Sequence, residues 1–135
     1  MSDQEELQRA IYEINMIERQ MKEIEGQLQN IQALRGENEA TRKALAELPK
    51  DETFFGLGSG TMIRAKISST DKAMVDIGAG AIAEKPIPEI VAILEERDTQ
   101  LQALFARLEN DFNNAGKALD SVSQRAGEIQ AKLRG

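Results

Sequence analysis

The chain has 135 residues, enough for one domain, and its composition excludes several classes of function. It contains no cysteine and no histidine, which excludes disulfides, thiol nucleophiles and the usual zinc sites. The formal net charge of −6 argues against nucleic acid or an anionic membrane as the main partner. Aromatic residues make up only 4% of the sequence, and this scarcity favours narrow helical packing over a broad globular core.

Three segments of different composition predict the organisation of a single domain over residues 1–135. Segments 2–48 and 88–133 contain few helix breakers, so we predict one long helix in each. Segment 49–87 contains five of the ten glycines and two of the three prolines, which favours β structure. The acidic N-terminus does not resemble a signal peptide and no run of 18 apolar residues occurs, so we expect a cytoplasmic chain without a membrane partner.

The second predicted helix carries two rows of mostly apolar residues, each with a seven-residue period. The rows are Ile87, Leu94, Leu101, Leu108, Ala115, Val122 and Ile129, and Val91, Asp98, Phe105, Phe112, Leu119, Ala126 and Leu133. An ordinary amphipathic helix drifts out of a seven-residue period, so this persistence is typical of a coiled coil.

The first predicted helix follows the same pattern as far as Ile31. Beyond it we expect the seam to slip by three residues, a stammer that overwinds the supercoil. The shifted seam would continue through Leu34, Asn38, Thr41, Leu45 and Leu48. Ser2 and Glu5 have the spacing of a capping box, and Pro49 is expected to end the helix.

Helices of equal length on either side of a short insert predict an antiparallel two-helix coiled coil. The pairing brings Asn38 opposite Asp98, the two strongly polar positions of the seam. We hypothesise that these residues meet and fix the register, with Arg35 or Arg42 neutralising Asp98. The alternative is a seam that is loose and hydrated at this level.

The central segment predicts two short β-hairpins, because apolar or small residues alternate with polar ones on either side of two glycine-rich links, Gly58–Gly60 and Gly78–Gly80. The predicted strands are Thr53–Leu57, Thr61–Ile67, Ala73–Ile77 and Ala81–Lys85. Such hairpins are marginal alone and leave open edges, so we expect another subunit to complete the sheet.

No motif predicts catalysis, a cofactor or a metal site. The glycine-rich run 56–60 superficially resembles a phosphate-binding loop, but no Gly-Lys-Ser/Thr follows it and Thr61 opens a strand. Acidic pairs such as Glu95 and Glu96 lie on a predicted helix surface, and we interpret them as solvated. We therefore expect that the protein is not an enzyme.

Apolar residues gather near the free ends of the predicted helices. Ile11 and Tyr12 lie off the seam of the first helix, close to Val122, Ile129 and Leu133 of the second. One interpretation is ordinary fraying with a few stray apolar side chains. The functional interpretation is an apolar tip that contacts other proteins.

The order of long helix, two glycine-linked hairpins and long helix resembles the alpha-type subunits of archaeal-like prefoldin over the whole chain. The most telling stretches are Gly58–Ile67, Asp71–Gly80 and Ala83–Lys85. Beta-type subunits of that family carry one hairpin, and the span 49–87 can hold two, which favours the alpha type.

The resemblance implies that two alpha-type and four beta-type subunits join their hairpins into a double β-barrel platform that carries six coiled coils. It also implies a chaperone that binds unfolded polypeptides at the tips without ATP and delivers them to a group II chaperonin. On this resemblance, the residues expected to contact clients are Ile11, Tyr12, Val122, Ile129 and Leu133. Those expected to line the barrel and mediate assembly are Ile63, Ala65, Ile67, Val75 and Ile77.

Two alternatives remain open at this point. One is a self-assembling, filament-forming relative of prefoldin, in which the same hairpins join identical subunits. The other is a coiled-coil scaffold whose tip binds one specific folded partner.

Overall fold

The computed structural model describes residues Ser2–Gly135 and contains two long helices that flank four short strands. This architecture confirms the predicted fold class of two long helices and two hairpins. Within residues 2–135 there is no helix with a stretch apolar and long enough to cross a membrane. The elements in chain order are α1 (Asp3–Ala46), β1 (Thr53–Gly58), β2 (Thr61–Ala65), β3 (Lys72–Gly78), β4 (Ala81–Pro86) and α2 (Ile87–Arg134).

Helix α1 begins under a serine cap, as the capping-box spacing predicts. The backbone N–H of Glu5 donates to Ser2 Oγ at 3.2 Å, which satisfies one of the free donors of the first turn. Acidic residues in that turn complement the helix dipole. Helix α2 begins at Ile87 with Pro88 in its first turn, where the missing N–H of proline is not needed.

The chain forms two compact units. The first contains the residues up to Leu34 together with Leu101–Gly135, and the second contains Arg35–Gln100. The helix segments of the first unit run antiparallel, because residues further along α1 face residues earlier in α2. Glu13 Oε2 accepts a hydrogen bond from Arg125 Nη2 at 3.1 Å, and Met21 lies beside Gly116, where an added Cβ would be 3.7 Å from the Met21 methyl carbon.

The seam of α1 keeps its seven-residue period, and the predicted stammer after Ile31 is wrong. Leu34 is 44% exposed and Thr41 is also exposed, whereas Arg35 and Arg42 occupy half-buried seam positions. The aliphatic part of an arginine can cover an apolar seam while its guanidinium reaches a polar partner. The row that recurs every seven residues is Ala10, Ile17, Ile24, Ile31, Asn38 and Leu45, all buried or half-buried.

The seam of α2 follows the two predicted rows almost to the end of the helix. Every member from Ile87 to Ile129 is buried or half-buried, and only Leu133, the last member, is exposed. The heptad repeat of this helix was therefore sufficient to identify its packing face.

The strands form two separate antiparallel hairpins, β1–β2 and β3–β4, as expected. Each has a two-residue loop whose residues both have positive φ: 50° and 73° in Ser59–Gly60, and 53° and 78° in Ala79–Gly80. This is the geometry of a type I′ turn, which matches the twist of the flanking strands. A register shift precedes each loop, between Gly56 and Gly58 and between Asp76 and Gly78.

Candidate functional site

The second hairpin, β3–β4, packs on the helices through a small apolar core. Val75 and Ala83 are cross-strand partners and lie on the face of the hairpin that the helices cover. The buried members of this core are Val75, Ile90 and Leu94, and Leu45, Ala73 and Ile93 pack against them. The helices thus support the inner face of this hairpin.

Polar contacts join the same hairpin to α2. The N–H of Ile87 donates to the Asp71 carbonyl at 2.9 Å and closes the base of the hairpin. Arg97 Nη2 donates to the Asp76 carbonyl near the other end of β3. Each contact is modest alone, but together they connect both ends of β3 to one helix.

The outer face of the second hairpin is apolar and exposed. Met74 is 61% exposed and Ile82 is 64% exposed. Their cross-strand partners are acidic, Glu84 opposite Met74 and Asp76 opposite Ile82. A surface that alternates apolar and charged side chains in this way fits a contact with another protein.

The first hairpin, β1–β2, exposes apolar side chains on both faces. Phe54 and Met62 lie on one face and are 58% and 67% exposed. Ile63, opposite Phe55 on the other face, is 51% exposed. No residue of Thr53–Ala65, a range that the structure describes completely, is buried.

The five residues predicted to mediate assembly lie in different surroundings. Ile63 and Ile77 are exposed, Ala65 is half-buried, and Ile67 is half-buried beyond the end of β2. Val75 is only 8% exposed, because it belongs to the subunit's own core. The exposed pair is available to a partner, and the assembly role of the set stays a prediction.

The sequence reasoning missed exposed apolar residues of the hairpins because it followed one face of each strand. A signal was present, since two-residue loops fix which residues are opposite each other and therefore share a face. This pairing groups Phe54 with Met62 and Met74 with Ile82 on one face of each hairpin, and the structure shows that these four residues are exposed.

A layer of polar side chains interrupts the seam of the second unit. Arg35 Nε lies 2.9 Å from Asp98 Oδ1, and the Asp98 side chain is only 14% exposed. Asn38 Nδ2 donates to the Leu94 carbonyl at 2.9 Å, and Arg42 Nε donates to Asn38 Oδ1 at 2.8 Å. We refer to these four side chains (Arg35, Asn38, Arg42 and Asp98) as the polar layer.

Arg35 and Arg42 are the two residues expected from the sequence to neutralise Asp98, and it is Arg35 that donates a hydrogen bond to this carboxylate. Asn38 binds the backbone of Leu94, one helical turn before Asp98. The proposed function of Asn38 and Asp98 in fixing the register stays a prediction. The contacts explain why these polar groups can lie in a seam, since each is hydrogen-bonded there.

The residues predicted at the tip lie near the helix ends of the first unit, with unequal exposure. Tyr12 is 65% exposed, and Ile11 and Leu133 are each 48% exposed. Val122 is half-buried, and Ile129 is 7% exposed. The last two side chains are seam residues, so little of their surface is open to another protein.

One exposed apolar residue near this end was missed. Met16 is 46% exposed and follows Tyr12 by one helical turn. A groove beside these helix ends is lined by Glu6, Arg9, Glu13, Arg125 and Ile129. Among residues 2–135, no group of three acidic side chains is placed to hold a metal ion.

By its fold and exposed surfaces, the chain belongs to a class of small coiled-coil proteins in which two heptad-patterned helices flank hairpins with exposed apolar faces. The sequence model of the prefoldin subunit family matches residues 17–132 of the chain. The chain therefore belongs to the prefoldin family, and the resemblance seen in the sequence is confirmed.

Several prefoldin alpha subunits are similar to this chain. The prefoldin subunit alpha of Methanocorpusculum labreanum is 32% identical over 112 residues, which cover 80% of this chain and 76% of that protein. The prefoldin subunit alpha of Pyrococcus horikoshii is 24% identical over 132 residues, or 94% of this chain and 89% of that protein.

A solved structure has the same fold. The cryo-electron microscopy structure of a filamentous PFD from Methanocaldococcus jannaschii aligns with a TM-score of 0.54. The alignment covers 90% of this chain and 98% of the other, at 18% sequence identity. At this identity the similarity supports the fold and nothing finer.

Proposed function

We propose that this chain is an alpha-type prefoldin subunit that holds unfolded polypeptides without ATP and transfers them to a group II chaperonin. The observation that carries the proposal is the set of exposed apolar side chains near the helix ends, Ile11, Tyr12 and Leu133. Similarity to alpha subunits over most of the chain supports the subunit type.

Weak contacts at each tip suit a protein that must release its client. One partly buried apolar side chain contributes only about 1 kcal/mol. Several tips that act on one client raise the avidity by orders of magnitude, while each contact remains reversible. This arithmetic favours an oligomer over a single subunit as the functional form.

The hairpins are the proposed assembly surface. Two-stranded sheets leave unpaired edges, and both hairpins expose large apolar side chains, among them Met62, Met74 and Ile82. We propose that beta-type subunits cover these surfaces, in a hexamer of two alpha-type and four beta-type subunits. Within the predicted assembly set, Ile63 and Ile77 are the residues best exposed for this contact.

The test replaces the exposed tip residues without disturbing the seam. A triple variant, Ile11→Ser, Tyr12→Ser and Leu133→Ser, is mixed with a purified beta-type subunit. We expect an unchanged oligomer mass and a loss of the ability to suppress aggregation of denatured citrate synthase. Removing the residues before Ile14 and after Val122 should have the same effect.

The matched control changes exposed leucines of the same unit that lie away from the helix ends. Leu34 is 44% exposed and Leu104 is 37% exposed, so Leu34→Ser with Leu104→Ser removes exposed apolar surface of the same kind elsewhere in this unit. This control should keep full holdase activity. Undiminished activity of the triple tip variant, or equal loss in the control, would contradict the tip assignment.

The mass of the mixture separates the other possibilities. A discrete hexamer supports the proposal. A ladder of homo-oligomers that ignores the beta-type subunit would indicate a filament-forming relative. Binding to one folded protein, with no affinity for several unrelated denatured ones, would indicate a scaffold.

A further inference from the structure

We infer that the two hairpins play unequal parts in assembly: β3–β4 is folded in the isolated subunit, whereas β1–β2 acquires a stable fold only when a partner subunit covers it. The inference rests on the proposed function, because it takes assembly with beta-type subunits as the event that orders β1–β2. The inference adds that the assembly surface forms in two steps, with β3–β4 folded first and β1–β2 second.

Backbone geometry does not distinguish the hairpins. Both are antiparallel, both close through a two-residue loop with positive φ, and both have a register shift just before the loop. Their strands have six and five residues in the first hairpin and seven and six in the second. The ladder hydrogen bonds alone therefore predict similar stability.

Side-chain support is what differs. The second hairpin places Val75 in a buried cluster with Ile90 and Leu94, and Arg97 binds its Asp76 carbonyl. Helix α2 continues directly from β4 at Ile87. Opening this hairpin would therefore also expose Ile90 and Leu94, the buried residues at the start of α2.

The first hairpin has weaker support, because Thr53, Phe55 and Ala65 are only half-buried and none of its residues belongs to the buried cluster. None of its residues is buried, and apolar side chains are exposed on both of its faces. A two-stranded hairpin without a buried apolar face is marginally stable in water. It therefore opens and closes in the free subunit, and a partner that covers it shifts the population to the folded form.

This difference between the hairpins should make assembly stepwise and reversible. The folded hairpin gives the partner a fixed surface, and the marginal hairpin folds against it afterwards. Folding that is coupled to binding lowers the net affinity for a given contact area, which keeps assembly reversible. While β1–β2 is open, the free subunit does not present the regular strand edge of this hairpin, with which other chains could pair.

Amide hydrogen exchange measured by mass spectrometry tests the inference on the full chain. In the isolated chain we expect the amides of β3–β4 to exchange at least about tenfold more slowly than those of β1–β2. After addition of a purified beta-type prefoldin subunit, the amides of β1–β2 should slow to a similar rate. The change should be larger in β1–β2 than in β3–β4.

A pair of arginine variants provides a control for the cause. Arg97→Met removes the contact to the Asp76 carbonyl and should speed exchange in β3–β4 several-fold, with no effect on β1–β2. Arg125→Met removes an exposed arginine that pairs with Glu13 in the other unit, and it should change neither hairpin. A fully folded chain is expected in both cases, because both hydrogen bonds are exposed.

Three outcomes would overturn the inference, and the first two leave the proposed function intact. Equal protection of the two hairpins in the isolated chain contradicts it directly. Assembly that leaves β1–β2 unprotected contradicts it while the proposed function stands. If the beta-type subunit does not bind at all, the inference and the proposed assembly fail together.

Discussion

The hairpins β1–β2 and β3–β4 are close to a matched pair within one chain. They share pairing, loop type and the register shift before the loop, but only the second contributes a residue, Val75, to the buried cluster with the helices. This comparison separates the contribution of the ladder from that of side-chain burial. Because the ladders are similar, the two hairpins should differ in stability by roughly what the buried cluster supplies.

The largest effect is expected from the core under the second hairpin. Ile90 is 3% exposed, and Ile90→Ala should lower the free energy of unfolding by about 2–5 kcal/mol, from lost apolar burial and the cavity that remains. Urea denaturation followed by circular dichroism measures the change.

The matched variant in the first hairpin is Ile63→Ala, at a position that is 51% exposed. It should change the free energy of unfolding of the isolated chain by less than about 0.5 kcal/mol. It should nevertheless weaken association with a beta-type subunit. Similar destabilisation by both variants would break the comparison, because β1–β2 would then share the cooperative core.

The polar layer should give the next largest effect, because it adjoins the same core. Asn38 is buried and binds the carbonyl of Leu94, which itself belongs to the cluster under β3–β4. Asn38→Ala should lower the free energy of unfolding by about 1–3 kcal/mol, the range for removing a partner from a buried hydrogen-bonded group. Thermal unfolding and exchange in β3 report the loss.

Thr41→Ala is the control for that variant. Thr41 is an exposed residue of the same helix, and its hydroxyl donates only to the Glu37 carbonyl of the preceding turn at 2.9 Å. Its replacement should change stability by less than about 0.5 kcal/mol. An equal effect of the two substitutions would mean that the interhelical bond of Asn38 contributes little.

The proposed register role of Asn38 and Asp98 predicts more than a loss of stability. A single polar position in a coiled-coil seam specifies alignment at a cost in stability. Asn38→Leu should therefore raise the unfolding temperature while permitting a shifted register. A short bifunctional thiol reagent should join cysteines introduced at positions 13 and 125, whose natural side chains are ion-paired at 3.1 Å, and it should do so less completely in that variant if the register shifts.

The two loops provide a smaller and closely matched test. Ala79 and Ser59 occupy the first loop position with φ of 53° and 50°, where asparagine is favoured over both. Ala79→Asn should raise the free energy of unfolding by about 1 kcal/mol through relief of backbone strain. Differential scanning calorimetry should detect the higher midpoint.

Ser59→Asn makes the equivalent change in the first hairpin. Because β1–β2 opens independently in our inference, this variant should slow local exchange without moving the global midpoint. A matching rise in the midpoint for Ser59→Asn would show that the two hairpins unfold as one unit.

Sequence reasoning recovered the elements whose signal is local. The heptad rows of α2, the serine cap of α1 and the glycine-containing loops depend on neighbours in the chain, and the structure agrees with each. The predicted stammer follows Leu34 and Thr41, which are exposed, whereas the seam continues through Arg35 and Arg42, which are half-buried.

The sequence does not show which face of each hairpin is packed and which is exposed. Alternation identifies the two faces of a strand, but only packing decides which face the helices cover. Val75 and Ile77 were grouped as assembly residues, yet Val75 is 8% exposed and Ile77 is 52% exposed. Ile129 presents the same difficulty, since the row that defines the seam also reaches the helix end.

The smallest expected effects come from exposed charges, one on each hairpin. Arg64 lies over the Phe54 ring at 5.2 Å from its centre, and an exposed cation–π contact contributes about 0.5–1 kcal/mol. Lys85 pairs with Glu89 at 3.2 Å, and an exposed pair with this spacing contributes about 0.3–0.5 kcal/mol.

We expect the weaker of these two contacts to have the larger effect on the global unfolding midpoint. Arg64→Gln removes the stronger contact, but it acts on β1–β2 and should only speed exchange there about twofold or more. Glu89→Gln removes the weaker contact, yet it should lower the global unfolding midpoint slightly, because β3–β4 unfolds with the helices. Calorimetry and exchange on the same two variants decide the matter. A lower midpoint for Arg64→Gln than for Glu89→Gln would place β1–β2 inside the cooperative unit, and the distinction between the hairpins would have to be abandoned.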